Sequence, residues 1–177
     1  MKRNVQFART LRAHATAYFE LGFNIVGIME IGKGPYHPWK EYMSRRQTRG
    51  EALNHPWSRL CGIGAIAGIN NFGTLDFDQC DLGNIPMFLE RTGLPKDYKW
   101  VVISGSGRGF HIWFRSAQLS SVKKKVVTVL PKTPGLFKQI ELRVNAHVVL
   151  PPSIHRSGNQ YRFWQQNNLI SPPKMID

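Results

Sequence analysis

Gly73-Thr-Leu-Asp-Phe-Asp-Gln-Cys80 places two carboxylates, Asp76 and Asp78, one residue apart inside an apolar run with the composition of a strand. Side chains alternate along a strand, so the two acids share one face about 6.6 Å apart, while Leu75 and Phe77 point the other way. Like charges this close destabilise each other unless a cation or a shared proton lies between them. A pair of hard oxygen ligands suits Mg²⁺ or Mn²⁺, and two such ions roughly 3.5 to 4 Å apart clamp the attacking and leaving oxygens of a phosphoryl transfer. A solvated strand end would carry the same residues, so the doublet decides nothing without its surroundings.

Upstream, Gly62-Ile-Gly-Ala-Ile-Ala-Gly68 reads as a small-residue strand that allows close backbone approach, and is expected to pair with the acidic one. Before it, apolar residues at helical spacing over 4–21, followed by Gly22, predict an amphipathic helix with a glycine cap. Phe23 to Glu30 reads as a strand, Gly32 to Pro38 as a turn, and Trp39 to Met43 as the start of a helix leading into Arg45, Arg46 and Arg49. That basic cluster is either a solvated face or, the reading preferred, part of a phosphate-binding surface. Downstream, Ile85 to Thr92 predicts a short helix with Pro86 in its first turn and Gly93 past its end. Trp100 to Ile103 and Phe110 to Phe114 predict a hairpin about the turn Ser104-Gly-Ser-Gly-Arg-Gly109. Leu119 to Leu130, with Lys123, Lys124 and Lys125 inside it and Pro131 to Pro134 after it, is expected to be helical. Phe137 to Val144, His147 to Leu150 and Tyr161 to Trp164 are expected strands. Helices interleaved with short strands predict an α+β domain whose sheets are mixed or antiparallel.

The chain is 177 residues long with 42% hydrophobic content, enough for one domain with a sizeable core over 1–177. Its 24 Lys and Arg against 11 Asp and Glu give a formal charge of +13, which points to a polyanionic partner and to salt-dependent binding of nucleic acid. No run approaches ~18 apolar residues and no signal-peptide pattern precedes the first helix, so the expectation is a soluble, intracellular (cytoplasmic) protein with no membrane partner. Cys61 and Cys80 are too few for a disulfide framework or a cysteine-rich zinc module, and read as buried thiols.

Three further constellations accompany the aspartates. In the glycine-rich turn, backbone amides can approach an anion, Ser104 or Ser106 can donate hydroxyls, Arg108 brings charge, and His111 can donate to a phosphate oxygen. An ordinary turn followed by a structural histidine is the plainer alternative. In Ile140-Glu-Leu-Arg143, Glu141 and Arg143 share a face, and the carboxylate needs either Arg143, a lysine or a metal beside it. Pro151-Pro-Ser-Ile-His155 is a rigid turn that fixes where Ser153 and His155 point, or simply a structural corner.

Taken in order along the chain, Asp76-x-Asp78, the glycine-rich turn ending in His111, Glu141 in Ile-Glu-Leu-Arg, and Pro151-Pro-Ser-x-His155-x-Ser-Gly158 resemble the catalytic core of the archaeo-eukaryotic primase superfamily. The likeness is to the primase-polymerase domains of plasmids, phages and CRISPR-associated proteins. Lys33-x-Pro35 and Trp39 fit that family's approach to its acidic motif, and the likeness spans about residues 15 to 164. It implies an RRM-like sheet packed against a helical and stranded N-terminal part, with the active site between them.

The resemblance implies that Asp76, Asp78 and Glu141 hold two Mg²⁺ or Mn²⁺ ions and that His111 contacts the triphosphate of the incoming nucleotide. Ser153, His155, Arg108 and Arg143 join the expected nucleotide-binding set. Many members have Asp where this chain has Glu141, and Ser where it has Gly109, so the serine role moves to Ser104 or Ser106. The zinc-binding segment and the helical or helicase regions that accompany many such domains are missing from the sequence, so further domains, or replication or CRISPR proteins, are expected partners. The implied activity is DNA-templated nucleotidyl transfer on single-stranded or primed DNA. A non-catalytic RRM-like module is the alternative from another class, and a metal-dependent nuclease is the third. Against the RRM-like module, an RRM aromatic motif is absent and two acids would repel phosphate.

Overall fold

The computed structural model describes residues 5–29, 34–122, 126–130 and 136–176. Glu30, Lys33, the Lys123–Lys125 run and Pro131–Pro134 therefore lie outside the described residues. Helix α1 (Val5–Glu20) buries Leu11, Ala15 and Tyr18, one side of a 3.6-residue period. It ends where Gly22 takes φ +99°, so that Gly22 N donates to Phe19 O at 2.9 Å and Phe23 N to Tyr18 O at 3.1 Å. These two bonds satisfy carbonyls that a helix end otherwise leaves unpaired.

Strands β1 (Ile25–Ile28), β2 (Gly62–Ala67) and β8 (Ala146–Leu150) form a three-stranded antiparallel sheet in the order β1-β2-β8. The second sheet contains β3 (Phe72–Asp78), β4 (Val101–Ile103), β5 (Gly109–Arg115), β6 (Val126–Val129), β7 (Gln139–Arg143) and β9 (Arg162–Phe163), in the order β6-β7-β3-β5-β4-β9. Every pairing in it is antiparallel. Its middle, β7-β3-β5-β4, is the RRM-like core: β3 lies between the later strands β5 and β7, and helix α3 (Ile85–Arg91) links β3 to β4.

The acidic strand does not pair with the small-residue strand, contrary to the sequence expectation. Both edges of β2 are taken by β1 and β8. At Gly68 the backbone turns left-handed (φ +100°), and a Cβ there would lie 2.6 Å from Asn145 Oδ1 and 2.8 Å from its backbone nitrogen. Asn70 and Asn71 are also left-handed, and these turns carry the chain into the other sheet rather than back along β2. The helix expected over 119–130 is likewise corrected. A 3₁₀ turn occupies Ala117–Ser121, and the β-branched run Val126-Val-Thr-Val129 becomes edge strand β6 beside β7.

The basic cluster turns out to be structural. A 3₁₀ turn (Lys40–Met43) precedes a separate helix α2 (Arg49–Leu53), whose start is closed by a reciprocal Thr48–Glu51 capping box. Arg45 forks onto Glu51 at 2.7 and 3.0 Å, and Arg49 pairs with Glu20. Arg46 donates to the Phe19 and Phe23 carbonyls and to Asn24 Oδ1, tying down the end of α1.

Alternation gives the large sheet two unlike faces. On one, Phe77 stacks on Phe110 at 4.4 Å between ring centres, and Phe88 of α3 covers both. The other carries Phe72, Trp100 and Trp113 around Phe23, which stacks on Phe72 at 4.0 Å and meets Trp113 edge-on at 5.3 Å. This aromatic box docks α1 and the small sheet over half of that face. The remaining half, further along β3, β5 and β7, is polar and borders a cleft. Cys61 and Cys80 are buried free thiols. No helix among the described residues is long and apolar enough to cross a membrane.

Candidate active site

The pairing register assembles the site. Asp76 on β3 stands directly opposite His111 on β5 and Glu141 on β7, so three neighbouring strands present carboxylate, carboxylate and imidazole in one row. Directly opposed residues have Cβ atoms about 4.5–5.5 Å apart. His111 Nε2 lies 3.3 Å from Asp76 Oδ1. Arg143 bridges the acids, its Nε 2.8 Å from Asp76 Oδ2 and its Nη2 2.5 Å from Glu141 Oε2. Gln139 donates its amide to Glu141 Oε1 at 3.0 Å. Asp78, in the next row, is exposed at the mouth, opposite Gly109 and Gln139.

These residues line a cleft of about 360 Å³ between the large sheet and the turn after β8. The acids Asp76, Asp78 and Glu141 gather on β3 and β7. The hydrogen-bond donors His111, Ser104, Ser106, His155, Arg156 and Tyr161 come from β5, the glycine-rich turn and the 153–161 segment. At Gly109 a Cβ would sit 2.4 Å from the Phe77 carbonyl oxygen, so no side chain fits there beside the acidic strand. The serines are instead Ser104 and Ser106, whose hydroxyls meet at 2.6 Å. Ser157 Oγ and Asn159 Nδ2 both donate to the Gly105 carbonyl, at 2.8 and 3.3 Å, which fastens the 153–161 segment to the glycine-rich turn.

Two of the expected nucleotide contacts are not in the cleft. Ser153 is buried and spent on structure: its hydroxyl accepts from Ile63 N at 2.8 Å and donates to Leu150 O at 2.5 Å. Arg108 does not line the cleft and lines instead a separate hollow with Gln79, Cys80 and Asp81. Three polar lining residues carry no motif signal in the sequence reading: Gln139, Arg156 and Tyr161. Gln139 continues the Glu141–Arg143 alternation one step back, a signal that was there to be used. Burial, then the charge of Asp76, pushes the Tyr161 phenol up to about 12.

Three carboxylates on adjacent strand positions are the hard oxygen set a divalent cation prefers, and Asp76 and Glu141 already share one cation, the Arg143 guanidinium. The donor chemistry therefore fits such ions. With Glu141 turned onto Arg143 and Gln139, no three His, Cys, Asp or Glu side chains among the described residues are gathered around one point.

A search of curated protein sequences found no match. The profile of the Prim-Pol family, described as bifunctional DNA primase/polymerase, N-terminal, matches residues 15–175, which takes in the whole cleft. The chain belongs to the bifunctional DNA primase/polymerase (Prim-Pol) family.

Proposed function

We propose that this domain is a DNA-templated nucleotidyltransferase, in which a 3′-hydroxyl on single-stranded or primed DNA attacks the α-phosphate of a nucleoside triphosphate and pyrophosphate leaves. The observation that carries this reading is the row Glu141, Asp76, His111 across β7, β3 and β5, on one wall of a cleft whose donors face it from the glycine-rich turn. Primase-polymerase enzymes generally use divalent metals, and Asp76, Asp78 and Glu141 would hold two Mg²⁺ or Mn²⁺ ions here. When bound, such ions lower the pKa of the attacking hydroxyl and neutralise charge on the leaving pyrophosphate. The remaining residues do the positioning, which is most of what the protein supplies in phosphoryl transfer. His111, Ser104, Ser106, His155 and Arg156 hold the triphosphate. Arg143 sets the orientation of Glu141 and keeps two like charges compatible before substrate arrives.

Incubation with labelled nucleotides, primed and unprimed single-stranded DNA and Mn²⁺ tests this directly. The wild-type protein extends the primer. Asp76→Ala with Asp78→Ala falls below about 1% of that rate while its DNA affinity is retained, because metal-site electrostatics of this kind are worth hundredfold or more. Extension at the wild-type rate in the double variant would overturn the assignment of the two aspartates. Template cleavage without extension would instead mark a nuclease, and binding alone a non-catalytic module.

A further inference from the structure

Tyr161 is 2% exposed, yet it borders the cleft, and its hydroxyl has no hydrogen-bond partner among the described residues. A buried hydroxyl left unpaired is destabilising, so its retention calls for a partner that arrives from outside. His111 presents the same anomaly alongside: it is buried, and its Nδ1 has no partner among the described residues. The Tyr161 ring lies 6.1 Å from the His111 ring and 5.9 Å from that of His155, between the two imidazoles on the donor side of the cleft.

The tyrosine is also held in place. Its backbone N donates to Ser153 O at 2.8 Å, and Ser153 is itself clamped to Ile63 and Leu150. The next two residues form β9, paired to β4. The ring therefore cannot swing its hydroxyl out to bulk water. Because burial keeps the phenol protonated far above neutral pH, its hydroxyl is a donor. Its neighbours around that volume, Ser104, Ser106, His111, His155 and Arg156, are donors too, and the carboxylates lie on the other strands. Donors converging on one volume match an anion.

We propose that the Tyr161 hydroxyl donates to a non-bridging oxygen of the incoming triphosphate, beside His111. This rests on the reading of the cleft as a nucleotide site and adds a residue and a moiety to it. The contact is to phosphate rather than to base or sugar, so it is blind to which nucleotide is bound.

The test is Tyr161→Phe, which deletes only the oxygen. Equilibrium binding is measured with ribonucleoside triphosphates, deoxyribonucleoside triphosphates and inorganic tripolyphosphate, together with DNA affinity and thermal unfolding. Expected is a rise of about tenfold in Kd, equal for all three ligand classes, the loss typical of a hydrogen bond to a charged acceptor. DNA affinity stays the same, and Tm stays the same or rises, since an unpaired buried oxygen has been removed without a cavity. Unchanged triphosphate and tripolyphosphate binding in the variant would overturn the inference alone, leaving a hydroxyl satisfied by water. Loss confined to one sugar class, with tripolyphosphate unaffected, would also overturn it by moving the contact to the ribose. Failure of the wild-type protein to bind any of the three would overturn the nucleotide reading of the cleft and this inference with it.

Discussion

Arg143 resolves a conflict that the acidic row creates. Asp76 and Glu141 face each other across two strands with their side chains only 14% and 17% exposed, where like charges are weakly screened. The guanidinium reaches both, and its planar fork suits that bridge better than an ammonium would. Arg143→Met therefore leaves two part-buried carboxylates facing each other without their cation. The expected cost is about 1–2 kcal/mol, or roughly 2–8 °C in Tm, well below the penalty of a fully buried pair because Arg143 is 27% exposed. Added Mn²⁺ should recover more Tm in the variant than in the wild type, since a cation then replaces the one removed. Thermal unfolding with and without Mn²⁺ reads both effects. Equal Mn²⁺ shifts in the two proteins would mean that Arg143 does not share its acids with a metal. The same residue shows what a sequence can give, since the period of two along Ile140-Glu-Leu-Arg143 already put Glu141 and Arg143 on one face. That Asp76 joins them needed the register of β3 against β7.

At the scale of elements, local signals were legible and tertiary choices were not. Helix α1 with its Gly22 cap, α3 with Pro86 and Gly93, and the β4–β5 hairpin each follow from periodicity and turn residues within a dozen positions. The β2–β3 connection misled because a short link between two strands usually makes a hairpin. Gly68 instead abuts Asn145, far away in sequence, and the chain changes sheets. In the sequence Tyr161 marks only the start of a strand, because an unpaired hydroxyl is a property of its surroundings and leaves no mark in the sequence. The His37–His55 pair is another such tertiary product. The two rings stack at 4.8 Å beneath β1, with both Nε2 atoms buried and without partners among the described residues. Burial first, and the neighbouring His37 second, bring the His55 pKa down to about 4. An unfolded histidine titrates near 6.5, so between these values the unfolded chain binds the proton that the folded one refuses. Stability is then full above about pH 6.5 and is lost as pH falls towards 4, by on the order of 1–2 kcal/mol after allowing for partial exposure of the ring. Urea unfolding at pH 7 and pH 4.5 should show a smaller loss in His55→Phe than in the wild type. The same loss in both would assign the acid sensitivity to other groups.

Across the whole molecule, charge is sorted by place. The chain carries +13, yet Asp76, Asp78 and Glu141 lie together in one cleft, while Glu20, Glu41 and Glu51 are taken up by Arg45 and Arg49. The surface outside the cleft is therefore strongly basic, and in the cleft a template phosphate would meet clustered acid. A DNA strand should be held by the basic surround with its reacting end brought to the acids, an arrangement in which affinity and chemistry rest on different residues. Counterion release makes that separation measurable. Each phosphate neutralised on single-stranded DNA contributes a slope of about −0.7 in log K against log salt, so roughly five contacts weaken binding on the order of a hundredfold between ~50 and ~200 mM salt. The Asp76→Ala, Asp78→Ala protein should show the same slope and an equal or slightly higher affinity, since it loses two negative charges and no cation. Binding that is flat over this salt range would show that the positive charge serves another partner. A double variant that loses both slope and affinity would show that the acids help hold the strand, and that the two jobs are not divided as the charge pattern predicts.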